Sequence, residues 1–402
     1  AQAARRIAWH SDVVWTRLLD NVSPQRRFLR RRPVIVGGPG VTVQDGRARL
    51  DPDMPVTAES VLSVAAAAAH NEARLAPQTL VLLNDAELDV PDPWPDELRT
   101  LFVDLFLASH AAVPVVETLD QLGLFVPYLP EWAPSRSRPQ RNAYHRFTVD
   151  RHLWETAAEA AKLVEHVNRP DLLVIGALLH DIGKPYPGDH TEVGMELIRT
   201  IGPRMGFREW EVDVLVAMCK HHLLLPDVAT RRDLDDEDTI RAVADAVGSI
   251  EVLHLLHALT EADSIATGPA AWSGWKAGLV RDLAARTEFL LRGGDTSELP
   301  RTFPTDDQLA AMRLGTEIVK GEGNMLSVTT PDRPGVVSRI AGAVSLNGLD
   351  VHEAAVHTDF GIDLAEFRVE STIEGDIDWP KVCASVKAAI LGRVAVAARL
   401  AD

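Results

Sequence analysis

The sequence predicts a mainly helical protein that ends in a small α+β domain, on three observations. Ala- and Leu-rich amphipathic runs such as VLSVAAAAAHNEARL and LRTLFVDLFLAS recur up to about Arg292, and both compositions favour helix. Nine of the fourteen histidines (145, 152, 166, 180, 190, 221, 222, 254 and 257) fall between 142 and 292, the compositional mark of a metal site among helices. Residues 323–402 switch to short alternating runs separated by two amphipathic stretches, a sheet pattern.

A chain of 402 residues is expected to hold two or three domains, each with its own core. Its formal charge of −17 makes nucleic acid and anionic membrane surfaces poor partners. Only Cys219 and Cys383 are present, which suits a reducing cytoplasm better than a disulfide scaffold. No apolar run reaches the roughly 18 residues needed to cross a bilayer. The opening AQAARRIAWHSDVVW has neither an initiator Met nor a secretory apolar core. Beginning and ending inside patterned sequence, the chain is expected to be a piece of something longer.

Residues 1–138 read as a helical connecting region. A first helix carries Ile7, Val13, Val14, Leu18 and Leu19, followed by the basic RRFLRRR patch, a solvated helix end or a contact for an acidic partner. Within 33–51, two β-like runs flank Asp45-Gly46, a hairpin signal. Gly37-Gly38 and Asp51-Pro52-Asp53 have the separation of the Gly-rich turn and Asp-x-Asp strand of nucleotidyltransferases. Here, however, a hairpin replaces the intervening helix, and Pro52 cannot donate to a sheet ladder. The segment is not assigned a transferase site. Helices follow from Thr57, over 98–109, and from 113 to Gly123, with an aromatic docking segment up to Trp132. Residues 133–142, APSRSRPQRN, read as a linker or exposed loop.

Residues 139–292 form the predicted histidine-rich helical domain, and the polar, Pro-containing 293–322 a linker. In 323–402 the expected order is βαββαβ, a ferredoxin-like layer of helices on an antiparallel sheet. Its strands are 324–330, 351–358, 363–370 and VAVAARL (394–400), and its helices Pro334–Leu346 and Trp379–Leu391.

The chemistry centres on LLVIGALLHDIGKPYPGDHTEVG (172–194), where an apolar helix runs into His180 and Asp181 before Gly183 and Pro185 stop it. Burying an imidazole beside a carboxylate is unfavourable without strong partners, and a divalent metal accepts both as ligands. Leu256, Leu259, Asp263 and Ala266 share one helix face, so Asp263 needs a cation, either a metal or an arginine. His152 stands near the edge of the stripe formed by Leu153, Ala157, Ala160 and Val164. His221 and His222 are about 100° apart on a helix. The register VAMCKHHLLLP favours His222 as the inward one, with Cys219 as a small core residue. At least one of His254 and His257 is expected to pack structurally.

The run His-Asp-Ile-Gly-Lys, with His190 and Gly194 after it, resembles the all-helical, metal-dependent phosphohydrolases of the HD superfamily. The resemblance implies His152, His180, Asp181 and Asp263 as ligands of one ion. His190 and His222 would complete a second ion bridged by Asp181, the metals being Mn²⁺, Mg²⁺, Zn²⁺ or Fe. Lys184 would act with His180 and Asp181 by steadying a phosphate oxygen or the leaving group, or else be an exposed helix-end lysine. Arg231 and Arg232 would bind substrate phosphate through bidentate hydrogen bonds, or be held in surface pairs by DLDDEDT.

With the turn Asp332-Arg333-Pro334-Gly335, the C-terminal pattern looks similar to an ACT domain, a small amino-acid-sensing module. A ligand carboxylate would meet free N–H groups near Gly335, and Asp332 would accept from its ammonium group. Pro334 would fit the first helical turn. The same turn is also a good helix start in its own right.

An HD domain followed by an ACT domain occurs in two families. The (p)ppGpp synthetase/hydrolases continue their HD motif to a Glu-Asp pair and need a synthetase region, for which 293–323 leaves no room. The bifunctional uridylyltransferase/uridylyl-removing enzymes sense glutamine and modify the PII signal protein. YHRFTVDRH (144–152), HDIGK and GDH (180–190), HHLLLPDVATRRDLDDEDTI (221–240) and ADSIATGPAAWSGWKAGLV (262–280) all resemble this second family. That resemblance implies cytoplasmic removal of UMP or AMP from a tyrosine of PII, with glutamine as effector. The chain departs from the family in lacking the nucleotidyltransferase core and in having one ACT domain where two are usual. The alternatives are a (p)ppGpp or other nucleotide phosphohydrolase, and a catalytically silent glutamine-sensing module.

Overall fold

The computed structural model describes residues 2–22, 34–140, 146–294, 303–372, 376–394 and 396. RRFLRRR, His145 and most of VAVAARL lie outside them. The chain divides into two compact units, Ala1–Gly294 and Asp295–Asp402. Among the described residues no single helix is long and apolar enough to cross a membrane.

The first unit opens with helix α1 (Gln2–Val22) and a four-stranded sheet of β1 (Ile35–Gly38), β2 (Val41–Gln44), β3 (Arg47–Leu50) and β4 (Arg74–Leu75). Asp45 and Gly46, with φ of 53° and 72°, make the tight β2–β3 turn that Asp-Gly signals. Asp51-Pro52-Asp53 is a solvent-facing turn after β3. Helix α2 (Ala58–His70) starts on a Thr57/Ser60 capping box and packs its alanines on the sheet. Gly37 permits that approach, since a Cβ there would stand 2.5 Å from Ala67 Cβ.

Helices α3 (Pro77–Asn84), α4 (Asp96–Leu107) and α5 (Ala112–Gln121) lead into the helical domain without a break in the core. Aromatic side chains make the join: Trp132 stacks on Trp154 with centroids 5.7 Å apart, and Phe125 meets both edge-on. The segment read as a linker or exposed loop, 133–142, is pinned at its start. Ser135 is buried, and Arg136 Nε donates to the buried Asp120 Oδ1 at 2.8 Å. A buried carboxylate needs a cation, and that requirement overrides the loop-like composition.

Eight further helices follow: α6 (Val149–Ala160), α7 (Pro170–Leu179), α8 (His190–Arg204), α9 (Glu209–His221), α10 (Leu224–Arg231), α11 (Glu237–Val247), α12 (Ile250–Thr267) and α13 (Gly274–Leu291). Helix α7 is the central one, buried from Leu172 to Leu179 and packed against α6, α9 and α12. It ends at Leu179, ahead of the predicted stop at Gly183 and Pro185, because His180 caps it.

In the second unit the sheet order is β5 (Ile318–Glu322), β6 (Met325–Pro331), β8 (Ile362–Ser371), β7 (Leu349–Asp359), antiparallel throughout. Helices α15 (Val336–Leu346) and α16 (Trp379–Ile390) share a core with one face of this sheet. On β8, Phe367 and Val369 face that core. Leu364, of opposite parity, faces α14 (Asp306–Arg313) through Leu309 and Met312.

Two expectations are corrected here. The stretch read as a linker, 293–322, contains α14 and β5, and β5 takes the sheet edge beside β6. Its Gly321 hides the strand pattern because Trp379 lies over it, where a Cβ would stand 1.9 Å from the indole. Pro334 lies ahead of α15 and not in its first turn, since the helix starts at Val336 after Gly335 at φ 77°.

Candidate metal centre

Four helix ends and one helix interior converge on Asp181. His180 and His222 occupy equivalent places, each capping the C-terminus of its helix (α7 and α9). His180 Nδ1 lies 2.8 Å from Ala177 O, and His222 Nδ1 lies 2.7 Å from Cys219 O. A carbonyl only accepts, so each Nδ1 carries a hydrogen and each Nε2 is the ring nitrogen turned inward. His152, on the first turns of α6, and Asp263, from α12, close the site from the other side.

Asp181 faces two sets of ligands. Its Oδ2 lies 3.2 Å from His180 Nε2 and 4.0 Å from His152 Nε2, while Asp263 Oδ1 lies 3.5 Å and 3.0 Å from the same nitrogens. Its Oδ1 lies 3.9 Å from His190 Nε2 and 3.8 Å from His222 Nε2. Donor atoms about 2.1 Å from a shared ion stand roughly 3–4 Å apart, so both sets have the spacing of a coordination shell. His152, His180 and Asp181 form one candidate site, and Asp181, His190 and His222 another. His180 Nε2 and Asp181 Oδ1 are buried with no hydrogen-bond partner, an arrangement a cation resolves. The residues fit a divalent metal.

The electrostatics agree. Burial opposes charge on both carboxylates, yet His180 and Lys184 hold Asp181, and His152 and His180 hold Asp263, well below the usual range. Burial also disfavours the His180 imidazolium, but Asp181 and Asp263 outweigh it and push its pKa up to about 10. Burial keeps His222 down despite Asp181. A field that retains a proton on a buried imidazole also favours a metal dication.

Glycine packing sets the position of His190. A Cβ on Gly183 would stand 2.0 Å from His190 O, and one on Gly194 would stand 2.8 Å from Cys219 Sγ. The start of α8 therefore lies directly on the 180–183 turn. His190 is the most open of the imidazoles, with 39 % of its side chain exposed.

Lys184 pairs with Asp181 and donates to Gln140 Oε1 at 3.2 Å. The structure does not bring Arg231 and Arg232 into this cluster. Both are exposed at the end of α10, where Arg231 pairs with Asp227 at 3.5 Å and not with the following acidic run. His221 is half-buried beside Lys220, and His254 pairs with Glu288 at 3.0 Å. In the second unit Asp332 and Gly335 are exposed at the β6–α15 turn. Two of the N–H groups expected to be free there are engaged, Asp332 N with Gly361 O and Val336 N with Arg333 O.

Sequence reading missed Gln140 and Lys276. The half-buried Lys276 of α13 donates to Ala271 O at 3.0 Å. Burial lowers its pKa against the opposing pull of Asp263 and Asp227. A lysine directly after Trp272 and Trp275 in AAWSGWKAG was the available signal.

Comparison with known proteins places this geometry. Residues 149–249 match the HD domain family. The chain is 40% identical over 384 residues to the bifunctional uridylyltransferase/uridylyl-removing enzyme of Mycobacterium tuberculosis, covering 92% of this chain and 47% of that protein. It is 43% identical over 354 residues to the Streptomyces coelicolor enzyme of the same description, covering 83% and 41%. For the Gluconobacter oxydans enzyme the identity is 32% over 345 residues, covering 68% and 36%. The chain thus spans less than half the length of these relatives. With an HD domain built around Asp181, and this similarity running through nearly all its residues, the chain belongs to the family of bifunctional uridylyltransferase/uridylyl-removing enzymes.

Proposed function

We propose that the first unit removes a nucleotidyl group from a tyrosine of the PII signal protein, releasing UMP or AMP in the cytoplasm. The observation that carries this reading is Asp181 shared between two histidine sets at metal-ligand spacing. His152, His180 and Asp263 would hold one ion and His190 and His222 the other. Bound divalent ions polarise a phosphoryl group and acidify water near neutral pH. In the net reaction the phosphorus–tyrosine oxygen bond breaks, water supplies oxygen to phosphorus, and tyrosine leaves with a proton. Lys184, 24 % exposed beside Asp181, is positioned to steady a phosphate oxygen. The partly open His190 side leaves room for a tyrosine presented on another protein.

The second unit supports regulation by glutamine, since its antiparallel sheet carries two helices on one face in the manner of an ACT module. The test is incubation of uridylylated or adenylylated PII with the chain and Mn²⁺, following free UMP or AMP. PII should lose its nucleotide while ppGpp survives. Faster hydrolysis of ppGpp would move the chain to the other HD–ACT reading. No hydrolysis by a metal-loaded protein would leave the silent sensing module.

A further inference from the structure

Away from the metal ligands, the first unit holds a cavity of about 1080 Å³ between α1, the β4 region and the start of α6. Its wall carries five arginines, Arg5, Arg47, Arg74, Arg146 and Arg151, against three carboxylates, Asp12, Glu72 and Glu117. Most of that positive charge is already neutralised within the fold, Arg151 for one by Glu155 at 2.7 Å. Several of these charges are structural. Arg5 binds Glu117 at 2.6 Å and also Asp150, and Arg74 binds Asp12 at 2.6 Å. Arg146 differs. It is exposed, lies 5.2 Å from the Phe147 ring, and has no carboxylate partner among the described residues.

We propose that this cavity is a second ligand site that takes a nucleoside phosphate. The free guanidinium fork of Arg146 suits phosphate oxygens, which it can meet with two parallel hydrogen bonds. Trp9 adds a flat apolar wall, Phe147 supports the Arg146 and Arg151 guanidiniums that lie over its ring, and the volume matches sites for cofactor-sized molecules, well beyond what inorganic phosphate fills. The site adjoins the metal centre through one helix turn. Thr148 and Arg151 line the cavity, and the N–H of His152 donates to Thr148 O at 2.8 Å.

The test is titration calorimetry of ATP and UTP into chelator-treated protein, with adenosine and inorganic phosphate as comparison ligands. Wild type and Asp181→Asn should bind at least one of the two nucleotides with equal affinity. Arg146→Ala should bind it at least tenfold more weakly, and adenosine and phosphate should each bind wild type at least tenfold more weakly than the nucleotide does. Arg146 is exposed, so an unchanged melting temperature will show that its variant is folded. The proposal is overturned if wild type binds neither nucleotide at millimolar concentration, or if Arg146→Ala binds as wild type does. Loss of binding in Asp181→Asn overturns it too, because the nucleotide then belongs to the metal centre.

Discussion

His152 Nε2 lies 3.0 Å from Asp263 Oδ1, which ties the first turns of α6 to the middle of α12 across the buried end of α7. The carboxylate is the electrostatic anchor of two imidazoles, His152 and His180, and in the proposed metal site would also be a ligand. Replacing it with its neutral isostere keeps the shape and removes the charge. Asp263→Asn should lower bound metal measured by elemental analysis and reduce hydrolysis at least about 100-fold, a loss beyond the 10–100-fold typical of outer-shell changes. Wild-type metal content in this variant would remove Asp263 from the ligand set.

Metal should also stabilise the first unit, since a ligand that binds only the folded state adds about 2.7 kcal/mol at a hundredfold excess over its Kd. Mn²⁺ added to chelated protein should raise the melting temperature in a concentration-dependent way. Double substitution of His180 and Asp181 by Ala should abolish the rise while leaving the far-ultraviolet helical signal largely intact. An equal rise in the double variant would place the stabilising ion elsewhere.

The contact between Gly183 and the start of α8 predicts a selective defect. In Gly183→Ala the new methyl group collides with backbone at His190, and backbone cannot move aside as a flexible side chain would. Such overpacking costs about 1–3 kcal/mol. His190 should shift away from Asp181, so if wild type binds two metals per chain, as proposed, the variant should bind one. Calorimetric stoichiometry distinguishes this outcome from general unfolding.

Acid should weaken the join between α7 and α9. Arg169 bonds Asp171 and Glu211 at 2.6 Å each and lies over Trp210. Burial raises the Asp171 pKa, but Arg169 outweighs it and the net shift is downward. A depressed carboxylate contributes stability that is present above its unfolded value, about 3.9, and is lost as pH falls through the folded value. Arg169→Met should therefore cost about 1–2 kcal/mol at pH 7 in urea unfolding, with solvent screening included. The gap to wild type should narrow below about pH 4. A gap independent of pH would mean that packing on Trp210, not charge, is what Arg169 supplies.

For glutamine, Asp332→Ala in the full-length protein should weaken both glutamine binding and its effect on nucleotide removal while leaving basal activity unchanged. With the Asp332 and Val336 N–H groups already bonded, the ligand carboxylate would rely on the remaining donors of the turn. Identical glutamine affinity in wild type and variant, by calorimetry, would take Asp332 out of the site.

Much of this protein was legible in order along the chain. The apolar run into His180 and Asp181 marked a buried helix end, Asp45-Gly46 marked a tight turn, and the face shared by Leu256, Leu259 and Asp263 put a carboxylate on an apolar stripe. These are local signals, carried by residues within a few turns of one another. The edge strand at 318–322 was not legible, because Gly321 breaks its alternation for the sake of Trp379, nearly sixty residues away in sequence.

By itself, then, the sequence determined the helical periodicity, the ligand-type residues and the family pattern in which they stand. The tertiary structure alone decided that the connecting region and the helical domain share one core, and that Arg231 and Arg232 stay at the surface. The register had already favoured His222 as the inward histidine, and the structure supplied its anchor, Nδ1 to Cys219 O, with His221 left beside Lys220. The reason is geometric. Periodicity gives the face on which a side chain stands, but a shared coordination shell depends on where separate helices end relative to one another, and packing between distant segments sets those positions.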